Sequence, residues 1–131
     1  MKNVTVSGQI YQACPDLHLG IIACDVIISP SNDVLWEEIA KAEDNLRKTL
    51  RMEDIAKRVP VYATRQAYKK LGKDPNRYRP SAEALCRRLL KGYPLYRIDT
   101  LVDLINLISI ETAYSIGGFD SDKIQGDLVL G

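Results

Sequence analysis

Ten lysines and arginines lie between Arg65 and Arg97, against only Asp74 and Glu83. Ten minus two gives this stretch a formal charge of +8 in a chain whose total is +1, so the remaining residues together carry −7. Tyr68, Tyr78, Tyr93 and Tyr96 are interleaved with the cations. Cations neutralise phosphates without reading sequence, and tyrosine rings offer faces on which unpaired bases stack. The chemistry such a pattern supports is polyanion binding, with RNA as the expected ligand. Arg77, Tyr78, Arg79, Arg87, Arg88 and Lys91 are the candidate contacts. Local acids are so few that these charges are not expected to be consumed in helix ion pairs. The plainer alternative is a set of solvated helix faces.

Other reactive side chains are isolated. His18 is the single histidine and lies between Leu17 and Leu19, so no second imidazole completes a metal site or a nucleophile–base pair. Cys86 precedes Arg87 and Arg88, which could lower its pKa, but its place between Leu85 and Leu89 favours a buried small hydrophobe. Asn106 sits in an apolar run, where a buried amide either ties backbone together or lines a pocket. Asp120 and Asp122 flank Ser121 in a turn, and carboxylates so placed cap backbone N–H groups more often than they hold metal. No metal or cofactor is expected. Glycine spacing gives no phosphate loop.

At 131 residues with 46% apolar content, the chain reads as one globular domain over residues 1–131. No apolar run is long enough to span a membrane, and the N-terminus lacks the pattern of a signal peptide. Cys14, Cys24 and Cys86 suggest neither a disulfide framework nor zinc, and unpaired thiols fit a cytoplasmic protein.

The elements that must position these residues emerge from pattern. Val4–Ser7 and the β-branched run Leu17–Ile28 read as strands. Ser31 or Asn32 caps a helix whose apolar positions Leu35, Ile39, Ala42, Leu46 and Leu50 recur at helical spacing, with Trp36 roofing the core. A second helix starts after Pro60 and ends at Gly72, a third starts at Pro80 and ends at Gly92, and Asp99-Thr100 caps a fourth. The fourth is apolar on most sides and is expected to be buried. Residues 126–130 form a terminal strand. Strands, then helices, then a strand predict an α+β fold, with a small sheet or sandwich core flanked by about four helices.

Leu101-Val-Asp103, Asn106, Glu111, Gly118-Phe-Asp120, Asp122-Lys123 and Gly126-Asp-Leu-Val129 follow one another in the last third of the chain. Through these residues the chain, from Ile98 onward, resembles the B3/B4 (tRNA-binding and editing) domain of the bacterial phenylalanyl-tRNA synthetase beta subunit, and more closely the free-standing proteins built from that domain. Upstream, Arg77-Tyr-Arg-Pro-Ser-Ala-Glu-Ala-Leu-Cys-Arg-Arg88 is similar to a helix start of the free-standing group. The resemblance implies a B3/B4-like fold, tRNA as partner, and a pocket walled by Thr100, Asn106, Gly118 and Phe119. It also implies ester hydrolysis of mischarged tRNA as the activity of a complete editing site. Two departures weigh against that activity. Ser115 and Gly117 stand where synthetase domains usually carry Pro and His, and the family domain normally continues past the terminal strand into a segment that supplies an editing carboxylate. No residue is in place to activate water, so binding with little catalysis is the expectation and enzyme status is open. Alternatives are a non-enzymatic interaction module, dimerising or meeting a partner chain through its terminal strand, and a pocket for an aromatic amino acid or nucleotide.

Overall fold

In the computed structural model, which describes residues 2–131, five α-helices carry the weight of the structure and two short strands stand beside them. In order these are β1 (Val4–Val6), α1 (Gly8–Ala13), α2 (Asp33–Thr49), α3 (Val59–Lys70), α4 (Ser81–Leu90), α5 (Thr100–Thr112) and β2 (Leu128–Leu130). Two 3₁₀ turns, Met52–Lys57 and Ser121–Lys123, complete the architecture. The α+β class holds, with a helical bias.

The helices begin and end where their sequence chemistry says they should. Asn32 Oδ1 accepts the Leu35 N–H at 3.0 Å and opens α2, which places Asp33 in its first turn and Arg47 and Lys48 in its last. Asp99 Oδ1 accepts the Val102 N–H at 2.8 Å and opens α5. Gly72 and Gly92 follow α3 and α4 with φ of 82° and 93°, the left-handed conformation that stops a helix. At the end of α5 that conformation falls to Ala113, with φ 67°, at a cost of about 1 kcal/mol. Its methyl group is buried with Val61 and Ala82, which offsets the strain.

The main core is built by Ile39, Ala42 and Leu46 of α2, Ile55 of the 3₁₀ turn, Cys86 and Leu89 of α4, Leu95, and Leu107 and Ile110 of α5. Trp36 packs against its edge, as expected. Arg58 fastens the C-terminal end of α5: its guanidinium donates to the Ile110 carbonyl at 2.8 Å and the Glu111 carbonyl at 3.0 Å. Those carbonyls have no partner within the helix, so a cation there satisfies both valence and dipole.

Three expectations need correction. The sheet is two-stranded and parallel, in register Val4↔Leu128 to Val6↔Leu130, and none of its residues enters the helical core. It is therefore not a sandwich core, and the terminal strand has β1 as its neighbour. Leu17–Ile28 forms neither strand nor helix. Strand propensity reports fitness for a half-buried pleated surface, and among the described residues nothing pairs with this run. Finally, α5 is not buried all round, because Leu104 and Ile108 face outward.

Candidate nucleic-acid interface

Helix α4 organises the basic stretch around a single acid. Pro80 starts it and Glu83 falls in its first turn, fully buried. Arg65 of α3 reaches Glu83 Oε1 at 2.8 Å and Oε2 at 3.1 Å, and Arg87 reaches Oε2 at 2.8 Å. Arg79 stands 4.0 Å away. Arg65 also donates to the Pro75 carbonyl at 3.2 Å and to Asn76 Oδ1 at 2.6 Å, which ties the 73–80 loop to α3. The expectation that these cations escape ion pairing is thus wrong for three of them. Positions 79, 83 and 87 are four residues apart on or beside one helix, and at that spacing a lone acid between two arginines gathers both.

The other seven cations of the stretch have no carboxylate within salt-bridge distance among the described residues. Several are instead laid on aromatic rings. Arg88 lies 3.9 Å from the centroid of Tyr96 and 5.6 Å from that of Tyr93, and it donates to the Pro94 carbonyl at 2.7 Å and to the Tyr96 hydroxyl at 3.1 Å. Lys73 and Arg77 each lie 5.3 Å from the Tyr78 centroid. Arg97 lies 4.2 Å from Trp36. Such contacts leave the positive charge intact while fixing its position.

Arg79, Arg87, Arg88, Lys91 and Tyr93, with Ala84, line one open cleft of about 280 Å³. Four of the six expected contacts therefore share one surface. Arg77 and Tyr78 belong to the preceding loop and do not line it. Of the four, Arg87 is partly neutralised by Glu83, whereas Arg88 and Lys91 are not. Tyr93 is exposed at the rim.

Two further carboxylates, neither expected as a support of this surface, hold the segment that carries Tyr93 and Tyr96. Glu43 of α2 accepts the Leu95 N–H at 3.1 Å, and Asp103 of α5 accepts the Ile98 N–H at 2.9 Å and the Trp36 indole N–H at 3.2 Å. Arg47 donates to the Leu89 carbonyl at 3.1 Å and the Tyr93 carbonyl at 3.4 Å. Both acids are buried. A signal for them existed, since Glu43 follows Ile39 by four and Asp103 precedes Leu107 by four, placing each on its helix's apolar stripe.

The resemblance-derived pocket residues are spread along and beyond α5. Thr100 is paired with Ser29, its hydroxyl accepting the Ser29 N–H at 3.0 Å and its own N–H donating to the Ser29 carbonyl at 2.9 Å. Asn106 is half-buried on the helix. Gly118 passes so close to α5 that a Cβ there would lie 3.3 Å from Ile105 Cδ1. Phe119 is 74% exposed, so these four do not close into an enclosed pocket. A larger cleft of about 430 Å³ lies elsewhere, between α2 and Arg58, lined by Asn45, Leu46, Thr49 and Glu111 among others. His18 is exposed outside any strand and pairs its Nδ1 with the Asp16 carbonyl at 2.8 Å. Cys86 is buried, and burial raises its thiol pKa; its charged neighbour is Arg58, with Nη1 at 3.3 Å, rather than Arg87 or Arg88. Asp120 caps the Asp122 N–H at 3.1 Å, as turn carboxylates do. Among the described residues no three His, Cys, Asp or Glu side chains gather as metal ligands, and no helix is long and apolar enough to cross a membrane.

A family model described as the B3/4 domain matches residues 63–131, just over half of the chain and the portion that carries α4, α5, β2 and most of α3. No curated protein and no solved structure matches.

Proposed function

The chain belongs to the B3/4 domain family, related to the phenylalanyl-tRNA synthetase beta subunit, and from that premise we propose that it is a cytoplasmic tRNA-binding domain with little hydrolytic activity of its own. The observation that carries this reading is the α4 cleft, where Arg88 and Lys91 keep uncompensated charge beside the exposed ring of Tyr93. Phosphates would meet Arg79, Arg88 and Lys91, and an unpaired base would stack on Tyr93. Arg77 and Tyr78, on the loop before α4 and outside the cleft, would add contacts to a ligand long enough to reach them. Thr100, Asn106, Gly118 and Phe119 are the family-derived candidates for the face toward the aminoacyl end. Ester hydrolysis needs an oriented water and a group to activate it. The lone histidine is exposed and bonded to the Asp16 carbonyl, and the buried carboxylates are already engaged with backbone, indole or guanidinium donors, which favours binding over catalysis.

The test replaces Arg88 and Lys91 together by alanine and follows binding of a phenylalanine-type tRNA by fluorescence anisotropy across a salt series. Each lost phosphate contact lowers the slope of log K against log salt by about 0.7–0.9, so the double variant should lose about 1.4–1.8 of slope and bind every RNA sequence more weakly. An unchanged slope would refute the assignment. In parallel, the unaltered chain should release tyrosine from tyrosyl-tRNA of the phenylalanine type no faster than buffer does. Selective deacylation would make it an enzyme after all.

A further inference from the structure

The cleft of about 430 Å³ beside α2 is of a size that holds a small molecule, and it shares no residue with the α4 cleft. Arg58, which forms part of its wall, is not used up by its work at the end of α5. Nη1 donates to the Ile110 carbonyl and meets Cys86 Sγ, and Nη2 donates to the Glu111 carbonyl. The Nε–H and the second Nη2–H have no partner among the described residues. Together they make the side-on fork that a carboxylate meets with both oxygens. No buried side-chain nitrogen lacks a partner, so this unpaired Nε is open to solvent. Among the described residues no carboxylate lies within salt-bridge distance of Arg58. The fork is therefore fixed in place, charged and accessible.

Glu111 lines the same cleft, exposed, and its carboxylate makes no ion pair among the described residues. A simple anion drawn to Arg58 would be repelled by Glu111, and a simple cation drawn to Glu111 would be repelled by Arg58. A compact ligand that carries both charges satisfies both walls. The remaining lining includes Asn45, whose amide supplies a donor and an acceptor, and the apolar Ala42, Leu46 and Leu50. We infer that this cleft takes a free α-amino acid with an aliphatic side chain. Its carboxylate sits on the Arg58 fork, its ammonium group faces Glu111, and its side chain rests against Leu46 and Leu50. Among small zwitterions, the α-amino acid is the one whose third arm can be apolar. An amino acid esterified to RNA has no free carboxylate for the fork, so this inference stands apart from the tRNA-binding reading.

NMR titration of the whole chain with L-leucine should give saturable shifts in the amides of Ala42 to Leu50, Arg58 and Glu111. N-acetyl-L-leucine lacks the ammonium group and L-leucinamide lacks the carboxylate, and each should bind about fivefold more weakly or worse. Glu111→Gln changes an exposed side chain, so far-UV circular dichroism should keep its helical signal. That variant should bind leucine about fivefold more weakly and N-acetyl-L-leucine more tightly, because attraction and repulsion are lost together. Arg58→Lys keeps the charge without the fork and should weaken leucine binding about tenfold. Absence of saturable shifts, or a Glu111→Gln variant with unchanged preference, would overturn the inference. So would an analogue that binds as tightly as leucine, which would make the end of a peptide chain the ligand.

Discussion

Replacing Glu83 by glutamine tests how the basic stretch is held together. The carboxylate is fully buried, and its two close partners, Arg65 and Arg87, are 14% and 21% exposed. Glutamine keeps the shape and one acceptor oxygen, but its amide nitrogen turns donors toward a guanidinium, and the neutralising charge is gone. Breaking a buried ion pair by removing one partner costs about 3–5 kcal/mol. The partial exposure of both arginines lets water take up some of the loss, and the 4.0 Å approach of Arg79 adds little. The expected cost is therefore about 3 kcal/mol, at the lower end of that range. With a urea dependence of about 1.5 kcal/mol per molar, the unfolding midpoint should fall by about 2 M. Trp36, the one tryptophan, reports the transition by fluorescence. A loss below about 1 kcal/mol would refute the buried-triad account. The same variant uncovers Arg87 and Arg79 in the α4 cleft, so its tRNA binding should become more salt-dependent, by about 0.7 of slope for each new phosphate contact. Lower stability with an unchanged slope would keep the triad and remove those arginines from the interface.

Other perturbations probe the supports behind that surface. Trp36→Phe removes the indole donor from buried Asp103, leaving the Ile98 N–H, and should cost about 2 kcal/mol by urea unfolding followed in circular dichroism; unaltered stability would mean that Asp103 does not depend on the indole. Cys86 should resist iodoacetamide at pH 8 until denaturant is added, whereas exposed Cys24 reacts at once. Because burial raises the Cys86 pKa above 9.0 in the folded state, the unfolded chain releases that proton first as pH rises. The stabilisation is complete below pH 9.0 and is lost above it, so Cys86→Ala should show a flatter stability curve through that alkaline window. Identical curves would contradict the burial.

Much of the helical frame is legible in the residues themselves. Asn32 and Asp99 as caps, Gly72 and Gly92 as stops, and the stripe from Leu35 to Leu46 all act through neighbours within one or two turns, which is why pattern finds them. Helix α1 escapes because it is six residues long and buries only Ile10, too little for a period to emerge. The run 17–28 misleads for the opposite reason: its composition is that of a strand, but a strand exists only when another backbone lies alongside. In the candidate site, the Glu83–Arg87 contact is inherent in a spacing of four, whereas Arg65 comes from eighteen residues away on another helix. Likewise the charges of Arg88 and Lys91 are plain in the sequence, but the stacking of Arg88 on Tyr96 depends on a chain reversal at Gly92 and on Glu43 and Asp103 gripping the backbone of Leu95 and Ile98.

Arg65 does more than offset a charge. By fastening Pro75 and Asn76 to α3, it gives the 73–80 loop a fixed anchor before any ligand arrives. A loose loop bearing Arg77, Tyr78 and Arg79 would have to surrender its freedom on capture, at about 0.5–1.5 kcal/mol for each long side chain immobilised. Here much of that ordering is completed during folding. Affinity for a flexible polyanion then depends on the ligand's own disorder far more than on the protein's, and long, unstructured strands gain least from the arrangement while pre-bent ones gain most.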